Sequence, residues 1–367
     1  MKDLRYTHLL KLMDQFQIKV LALNPGPVFS YLTGLSFHLM ERPTVLIISK
    51  NHDPLILLPE LEVGKLSASR IPLTPLPFND DPATWQKVFI DASKRYNLEG
   101  ATIGVEPTRL RFLELDYLQK AILAAKFVSA DKVCEGLRIL KDYDEINEMR
   151  RAVRIAQDAL TATLPMIKPG ISEKEVAAEL TIQMLRLGTD PELPFSPIVA
   201  SGPNSANPHA VPTQRKIQNG DLVVIDWGAR SNGYCSDLTR TFAIGSLVPE
   251  LKRLYDVVQQ ANAAGRAAGA SGRPAGGVDR AARKVIESAG FGDYFTHRTG
   301  HGLGLEDHES PYIFGENEQI LSTGMTYTVE PGIYLPGVGG VRIEDNIVVT
   351  PTGCESLSDF PRDLTIL

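Results

Sequence analysis

Cysteine is scarce in this chain: Cys134, Cys235 and Cys354 are the only three in 367 residues, odd in number and widely spaced. That excludes a disulfide framework and suits a reducing compartment, so a cytoplasmic protein is expected. An excess of positive charge is missing too. With 38 Lys+Arg against 44 Asp+Glu the net charge is −6, and no Lys/Arg run offers a phosphate-binding surface. No apolar stretch is long enough to cross a bilayer. Met1 to Gln17 mixes Lys2, Asp3, Arg5, Lys11 and Asp14 with Leu4, Leu9, Leu10 and Leu12, the pattern of an amphipathic helix and not of a leader's apolar core. Neither nucleic acid nor membrane is an expected partner.

The length exceeds one typical core, which predicts two domains, 1–130 and 131–367. In the first, short apolar runs at Thr44–Ser49, Leu55–Leu58 and Ala101–Val105 alternate with helical segments, as in an α/β domain. Between Ala125 and Asp142 the pattern loosens, and the boundary is set there. In the second, Ile146, Met149, Val153, Ala156, Leu160 and Leu164 form one helical face. A further helix starts at Ser172, with Glu175 placed for a capping box, and stops at Gly188. A hairpin follows, Leu222–Ala229 and Cys235–Ala243, joined through Arg230-Ser-Asn-Gly. Helices at Pro249–Ala268 and Val278–Ala289 and strands at Met325–Glu330 and Gly340–Thr350 repeat the same order. Two related αα-ββ halves of an α+β domain are expected.

Acids sit where apolar strands end. Asp226 closes Leu-Val-Val-Ile, and Asp237 lies on the returning strand; any even-length loop turns both carboxylates to one face. Two bare carboxylates that close repel, so a proton or a cation belongs between them. Glu330 precedes Pro331-Gly332, Glu344 sits in Gly-Val-Arg-Ile-Glu-Asp-Asn, and His301 lies among glycines in Thr299-Gly-His-Gly-Leu-Gly-Leu. Asp226, Asp237, His301, Glu330 and Glu344 form an oxygen-rich set with one imidazole. This favours manganese, with cobalt, iron or zinc also admissible, and opposes a structural zinc. Four carboxylates are neutralised by two divalent cations.

These motifs, with Pro197-Ile-Val-Ala-Ser-Gly-Pro-Asn-Ser-Ala-Asn-Pro-His-Ala, Ser236-Asp-Leu-Thr-Arg-Thr and Glu306-Asp-His-Glu-Ser-Pro, resemble those of the pita-bread metallopeptidases (peptidase family M24), the group of aminopeptidase P, prolidase, methionine aminopeptidase and creatinase. The first domain resembles the creatinase/prolidase amino-terminal domain through Tyr31-Leu-Thr-Gly and its α/β pattern. The resemblance implies that Asp226 and Asp237 hold one ion and His301 the other. Asp237 and Glu344 bridge them, Glu330 completes the set, and a shared water or hydroxide is the nucleophile. It further implies that His209 and His308 face the substrate, that Glu330 shuttles a proton, and that Arg342 supports a metal-binding carboxylate. His297 and Tyr334 are expected to line the pocket, and the family generally self-associates, here as a dimer. Cys235 shares strand parity with Asp237 and is read as a small apolar filler.

The expected activity is hydrolysis of the bond between an N-terminal residue and a following proline. Dipeptidase members carry an arginine after His-Glu-x-Pro for the substrate carboxylate, and Tyr312 stands at that position here. An Xaa-Pro aminopeptidase is therefore preferred, with Xaa-Pro dipeptidase as the alternative. His38, Glu41 and Arg42 form a charged first-domain loop in which Arg42 could replace the missing cation. A non-catalytic binding module is the reading from another class; loss of metal-binding residues would mark it, and all five are present.

Overall fold

The computed structural model describes residues 4–367; Met1 to Asp3 of the expected amino-terminal helix lie outside them. The chain divides into two compact units, Met1–Arg138 and Ile139–Leu367.

The first unit holds a six-stranded mixed sheet. In chain order its elements are α1 (Leu4–Gln15), β1 (Val20–Leu23), α2 (Pro27–Thr33), β2 (Val45–Ser49), β3 (Leu55–Pro59), β4 (Thr74–Phe78), α3 (Pro82–Tyr96), β5 (Thr102–Val105), α4 (Phe112–Ala121), β6 (Lys126–Ser129) and α5 (Asp131–Arg138). The sheet order is β4-β3-β2-β1-β5-β6, with β1, β2 and β3 buried almost throughout. Residues Ala125–Asp142 look loose in sequence because β6 is an edge strand whose side chains are mostly exposed. After it, α5 buries Val133, Cys134 and Leu137, and Gly136 lets Leu12 of α1 pack closely. The division between units therefore follows α5, whereas the composition shift suggested a break before it.

The second unit opens with α6 (Tyr143–Thr163), whose Asp142 N-cap forms a capping box with Glu145, and α7 (Glu173–Arg186), where Ser172 and Glu175 do the same. Gly188 follows with φ +91°, a backbone only glycine adopts cheaply. Their apolar faces pack on the antiparallel sheet β11-β8-β7, formed by β7 (Ile198–Ser201), β8 (Leu222–Trp227) and β11 (Leu238–Ala243). Between β8 and β11 stands a two-residue hairpin ladder, β9 (Arg230–Ser231) and β10 (Tyr234–Cys235). Asn232 and Gly233 at its tip have φ 47° and 86°, the type I′ combination.

The second half repeats this with α8 (Pro249–Ala268) and α9 (Gly276–Ser288), followed by β12 (Gly300–Gly302), β13 (Glu309–Ile313), β14 (Thr326–Val329), β15 (Gly332–Leu335), β16 (Gly339–Arg342), β17 (Asp345–Thr350) and β18 (Gly353–Ser356). The large sheet runs β13-β12-β14-β17-β18, while β15 and β16 form a separate hairpin against α8 and α9. The expected strand Gly340–Thr350 is thus two strands. The chain changes sheet at Ile343-Glu344, where Glu344 bridges instead to Thr239 of β11. This is one of the points at which the two halves are joined. No described helix is long and apolar enough to cross a membrane.

Candidate metal centre

Strand register puts the first two acids on one face. Asp226 of β8 lies opposite Thr239 of β11, and Asp237, two residues before Thr239, shares its side of the ladder. Asp237 is held in place by Asn346 of β17, whose Oδ1 accepts the Asp237 N–H at 3.0 Å and whose Nδ2 donates to the Asp237 carbonyl. Glu344 arrives from the second half: its N–H donates to Thr239 O at 3.0 Å, and its Oε2 accepts from Thr239 Oγ1 at 2.6 Å.

His301 stands in the middle of β12. A side chain at Gly300 or Gly302 would strike the backbone of Thr328 or Ser310, which is why glycine flanks the imidazole. Nδ1 of His301 lies 3.1 Å from Gly302 O and donates to it, leaving Nε2 directed at Glu330 Oε1 (3.3 Å) and Asp237 Oδ2 (3.6 Å). Glu330 follows β14, fixed by its N–H to Thr299 O at 2.8 Å.

The five residues therefore converge. Asp226, Asp237 and Glu344 each offer an oxygen within 4.8 Å of one another; His301, Glu330 and Glu344, and likewise Asp237, His301 and His308, bring imidazole nitrogens and carboxylate oxygens equally close. Asp237, His301 and Glu344 each belong to two of these groups, and of the three the carboxylates Asp237 and Glu344 have the two oxygens needed to serve a pair of cations. One carboxylate oxygen of Asp226 and one of Glu344 are buried without a hydrogen-bond partner. Orphaned buried carboxylate oxygens are costly unless a cation meets them, so this donor set fits divalent metal ions. The electrostatics agree. Burial, and then Glu344 and Asp226, raise Asp237 well above the ordinary carboxylate range; burial, and then Glu330 and Asp226, do the same to Glu344. Asp226 rises as well, chiefly through burial and against the opposing pull of Arg342. Burial also pushes Glu330 up, but the hydrogen bond and charge of His301, with His297 and Arg342, outweigh it and bring it to about 2.

Arg342, at the end of β16, is buried and fully engaged. Nη2 donates to Asp226 Oδ2 at 2.6 Å, Nε to Thr239 Oγ1 at 3.0 Å, and Nη1 to Tyr334 OH at 2.9 Å and Pro208 O at 3.2 Å. Tyr334 in turn lies 2.9 Å from His297 Nε2, and His297 Nδ1 is 2.7 Å from Arg298 O. Because the Arg298 carbonyl accepts from Nδ1, the imidazole receives the Tyr334 proton at Nε2. A single file of donors thus runs from Arg342 through Tyr334 to His297. His308 stacks on His301 with ring centroids 3.6 Å apart, and burial followed by the neighbouring His301 lowers it to about 4. His209 is exposed, its N–H on Asn207 Oδ1 at 3.1 Å, and Arg342 grips the preceding Pro208 carbonyl.

Some sequence candidates lie elsewhere. His38 and Arg42 belong to the first unit, where Arg42 makes a two-pronged pair with Asp80 at 2.5 and 3.0 Å. Cys235 is fully buried, donates its N–H to Gly304 O at 2.7 Å, and has its thiol pushed up to about 12 by burial, so it is a neutral filler. Conversely, the sequence reading passed over Arg298. Its guanidinium lies 4.4 Å over the Tyr312 ring and donates to His308 Nδ1 at 3.2 Å. Thr239 was also missed as an anchor, although it stands two residues after Asp237 and strand parity could have revealed it.

Two family descriptions match the chain, Metallopeptidase family M24 over residues 147–351 and Creatinase/Prolidase N-terminal domain over residues 5–140. The chain belongs to metallopeptidase family M24. Within this family it is 40% identical over 263 residues to the Xaa-Pro dipeptidase of Pyrococcus furiosus, an alignment spanning 72% of this chain and 75% of that protein. The crystal structure of a dipeptidase from Pyrococcus horikoshii OT3 superimposes with a TM-score of 0.93 at 38% identity, over 99% of this chain and all (100%) of that one. A recombinant prolidase from Thermococcus sibiricus gives 0.92 at 34% identity, covering 100% of both chains. The M24 chain is therefore a metallo-exopeptidase with a creatinase-type first domain and a pita-bread second domain, as the motifs implied.

Proposed function

We propose that this M24 protein is an Xaa-Pro dipeptidase, which splits a dipeptide whose second residue is proline. The observation that carries this reading is Arg298. Tyr312 stands where dipeptidase relatives were expected to carry arginine, which favoured an aminopeptidase; but the Arg298 guanidinium lies over that same tyrosine ring, beside the His301–His308 stack. A guanidinium there supplies the planar, two-pronged donor that a free prolyl carboxylate needs. The names of the relatives support the same choice.

Asp226, Asp237 and Glu344 would hold one cation, and His301, Glu330, Asp237 and Glu344 the other, with manganese the proposed ion. When bound, such a pair acidifies water and polarises the scissile carbonyl. Glu330, ionised, accepts a proton and passes it to the departing prolyl nitrogen, which has no hydrogen of its own before cleavage. His209 and His308 donate hydrogen bonds to the developing oxyanion, His308 being kept neutral by its burial. Arg342 and Tyr334 orient Asp226 and His297, and His297 closes the pocket behind the proline ring. The dimer implied by the family resemblance is part of the proposal, checked by sedimentation equilibrium.

Protein stripped by chelation and reloaded with Mn²⁺ or Co²⁺ is given Xaa-Pro, Xaa-Pro-NH₂ and Xaa-Pro-Xaa. The expected result is preference for the free dipeptide by about a hundredfold in kcat/KM, the scale of a charged, bidentate contact, and loss of that preference in Arg298→Ala. Equal or faster cleavage of the tripeptide would instead establish an aminopeptidase, and no turnover with any metal a binding module.

A further inference from the structure

Ser172 starts a sequence, Ser-Glu-Lys-Glu, in which two glutamates do different work. Glu175 reaches back to the N-cap, with Oε2 accepting from Ser172 N at 2.8 Å. Glu173, at the first position of α7, turns inward and is fully buried without a direct cationic partner among the described contacts. Five donor groups converge on it. Oε1 accepts from Ser201 N (2.7 Å), Ser201 Oγ (2.8 Å) and Asn204 Nδ2 (3.1 Å); Oε2 accepts from Thr213 Oγ1 (2.6 Å) and Thr213 N (3.0 Å). Burial disfavours its charge, yet these bonds from Thr213 and Ser201 prevail and hold it below the ordinary glutamate value.

Ser201 and Thr213 are the two ends of one segment, and His209 is carried between them. Midway, Ser205 Oγ accepts from Gly340 N at 2.8 Å, and Arg342 holds Pro208 O at 3.2 Å. Burial is what chiefly lowers the proton affinity of His297, and His209 is close enough to add a small contribution in the same direction. The segment is thus clipped at its base by one carboxylate and steered at its tip by the residue that also orients Asp226.

The second half repeats the device. Asp279, near the start of α9, is buried and accepts from Thr299 N (3.0 Å) and Thr299 Oγ1 (2.7 Å), immediately before the strand carrying His301. Its partner Arg283 holds the carbonyls of Phe295 and His297 at 3.0 and 2.9 Å. In both halves the second helix offers a buried carboxylate to backbone N–H and hydroxyl groups, of Ser201 and Thr213 in the first and of Thr299 in the second, and a histidine of the site follows Ser201 and Thr299.

We propose that Glu173 is a positioning residue: by binding both ends of the Ser201–Thr213 segment it sets His209 against the site, as Asp279 sets the His297–His301 segment. The assignment rests on the dipeptidase reading for what His209 does, but not for how it is held. An acceptor-only group is required, because an amide at this place would turn its own N–H against a backbone N–H.

The test pairs hydrogen exchange with a mutant cycle. In Glu173→Gln, amides of residues 201–213 are expected to exchange about tenfold faster while residues 297–303 and Mn²⁺ stoichiometry are unchanged; Asp279→Asn reverses the pattern. On Xaa-Pro substrates Glu173→Gln is expected to lower kcat about tenfold with KM within about twofold, and to add less than about twofold in a His209→Ala background. Should Glu173→Gln fail to fold, Ser201→Ala and Thr213→Val each remove one donor and are expected to give smaller shifts of the same kind. Unchanged exchange at 201–213, loosening of both segments together, or an equal kcat loss with and without His209 overturns the proposal. If the wild type cleaves no Xaa-Pro peptide, the substrate reading fails and the exchange measurement alone decides the clip.

Discussion

Arg342 and Asp226 are 2.6 Å apart through Nη2 and Oδ2, and that contact leaves the other Asp226 oxygen buried without a protein partner. One side of the carboxylate is thereby fixed by a guanidinium and the other is aimed at the cluster. Arg342→Lys keeps a charge and loses the fork that also reaches Tyr334 and Thr239. Mn²⁺ affinity, measured by titration calorimetry, is expected to fall about tenfold to a hundredfold, as for other residues that orient a ligand from behind. Wild-type affinity in this variant would contradict the role.

Chelation is expected to make stability depend on pH. Asp237 and Glu344 have folded pKa values above their unfolded ones, for the burial and mutual repulsion already described. The metal-free fold therefore keeps protons that the unfolded chain releases. Stability is present below the unfolded carboxylate range, near pH 4, and is lost as pH rises. Calorimetry of chelated protein should show Tm dropping by roughly 5 °C between pH 5 and pH 8. Added Mn²⁺ should restore more at pH 8 than at pH 5. A flat Tm would argue that the acids are not so crowded.

Asp345 behaves in the opposite sense. Fully buried, it is met by Arg240 Nη2 at 2.9 Å and Arg362 Nε at 2.7 Å. Burial raises its pKa, but Arg240 and Arg362 bring it to about 2. Its contribution is present above the unfolded value near 4 and lost as pH falls toward 2, amounting to about 2 kcal/mol at neutral pH. Asp345→Asn removes the counter-charge of the buried Arg240 and of the partly buried Arg362, and is expected to cost about 3–5 kcal/mol in urea unfolding.

Tyr334→Phe breaks the file between Arg342 and His297 without emptying space. Stopped-flow assays are expected to show kcat down about tenfold, less than the roughly hundredfold or more of losing a proton-transfer group itself, with metal content unaltered. A change confined to KM would place Tyr334 among packing residues only.

Much of this was legible in advance, and the reasons are local. Asp226 and Asp237 declared themselves because strand side chains alternate, and Ser172 and Glu175 because a capping box is a short-range pattern. Arg298 did not: it meets Tyr312 only because β12 and β13 pair, and nothing in a lone arginine announces its neighbour across a sheet. The break at Glu344 was equally hidden, since the apolar run continues on either side while the chain changes sheet. Edge strand β6 was lost because half-exposed strands carry no apolar run. Glu173 and Asp345 were invisible because a buried acid reads like a surface one until its donors are seen.

Glu344 enters from the far end of the chain and is stapled to Thr239 of the opposite half. Neither half owns a complete set of oxygens, so the cluster is a product of tertiary closure: a fragment ending before Glu344 would lack one of its four acids however well the first half had folded.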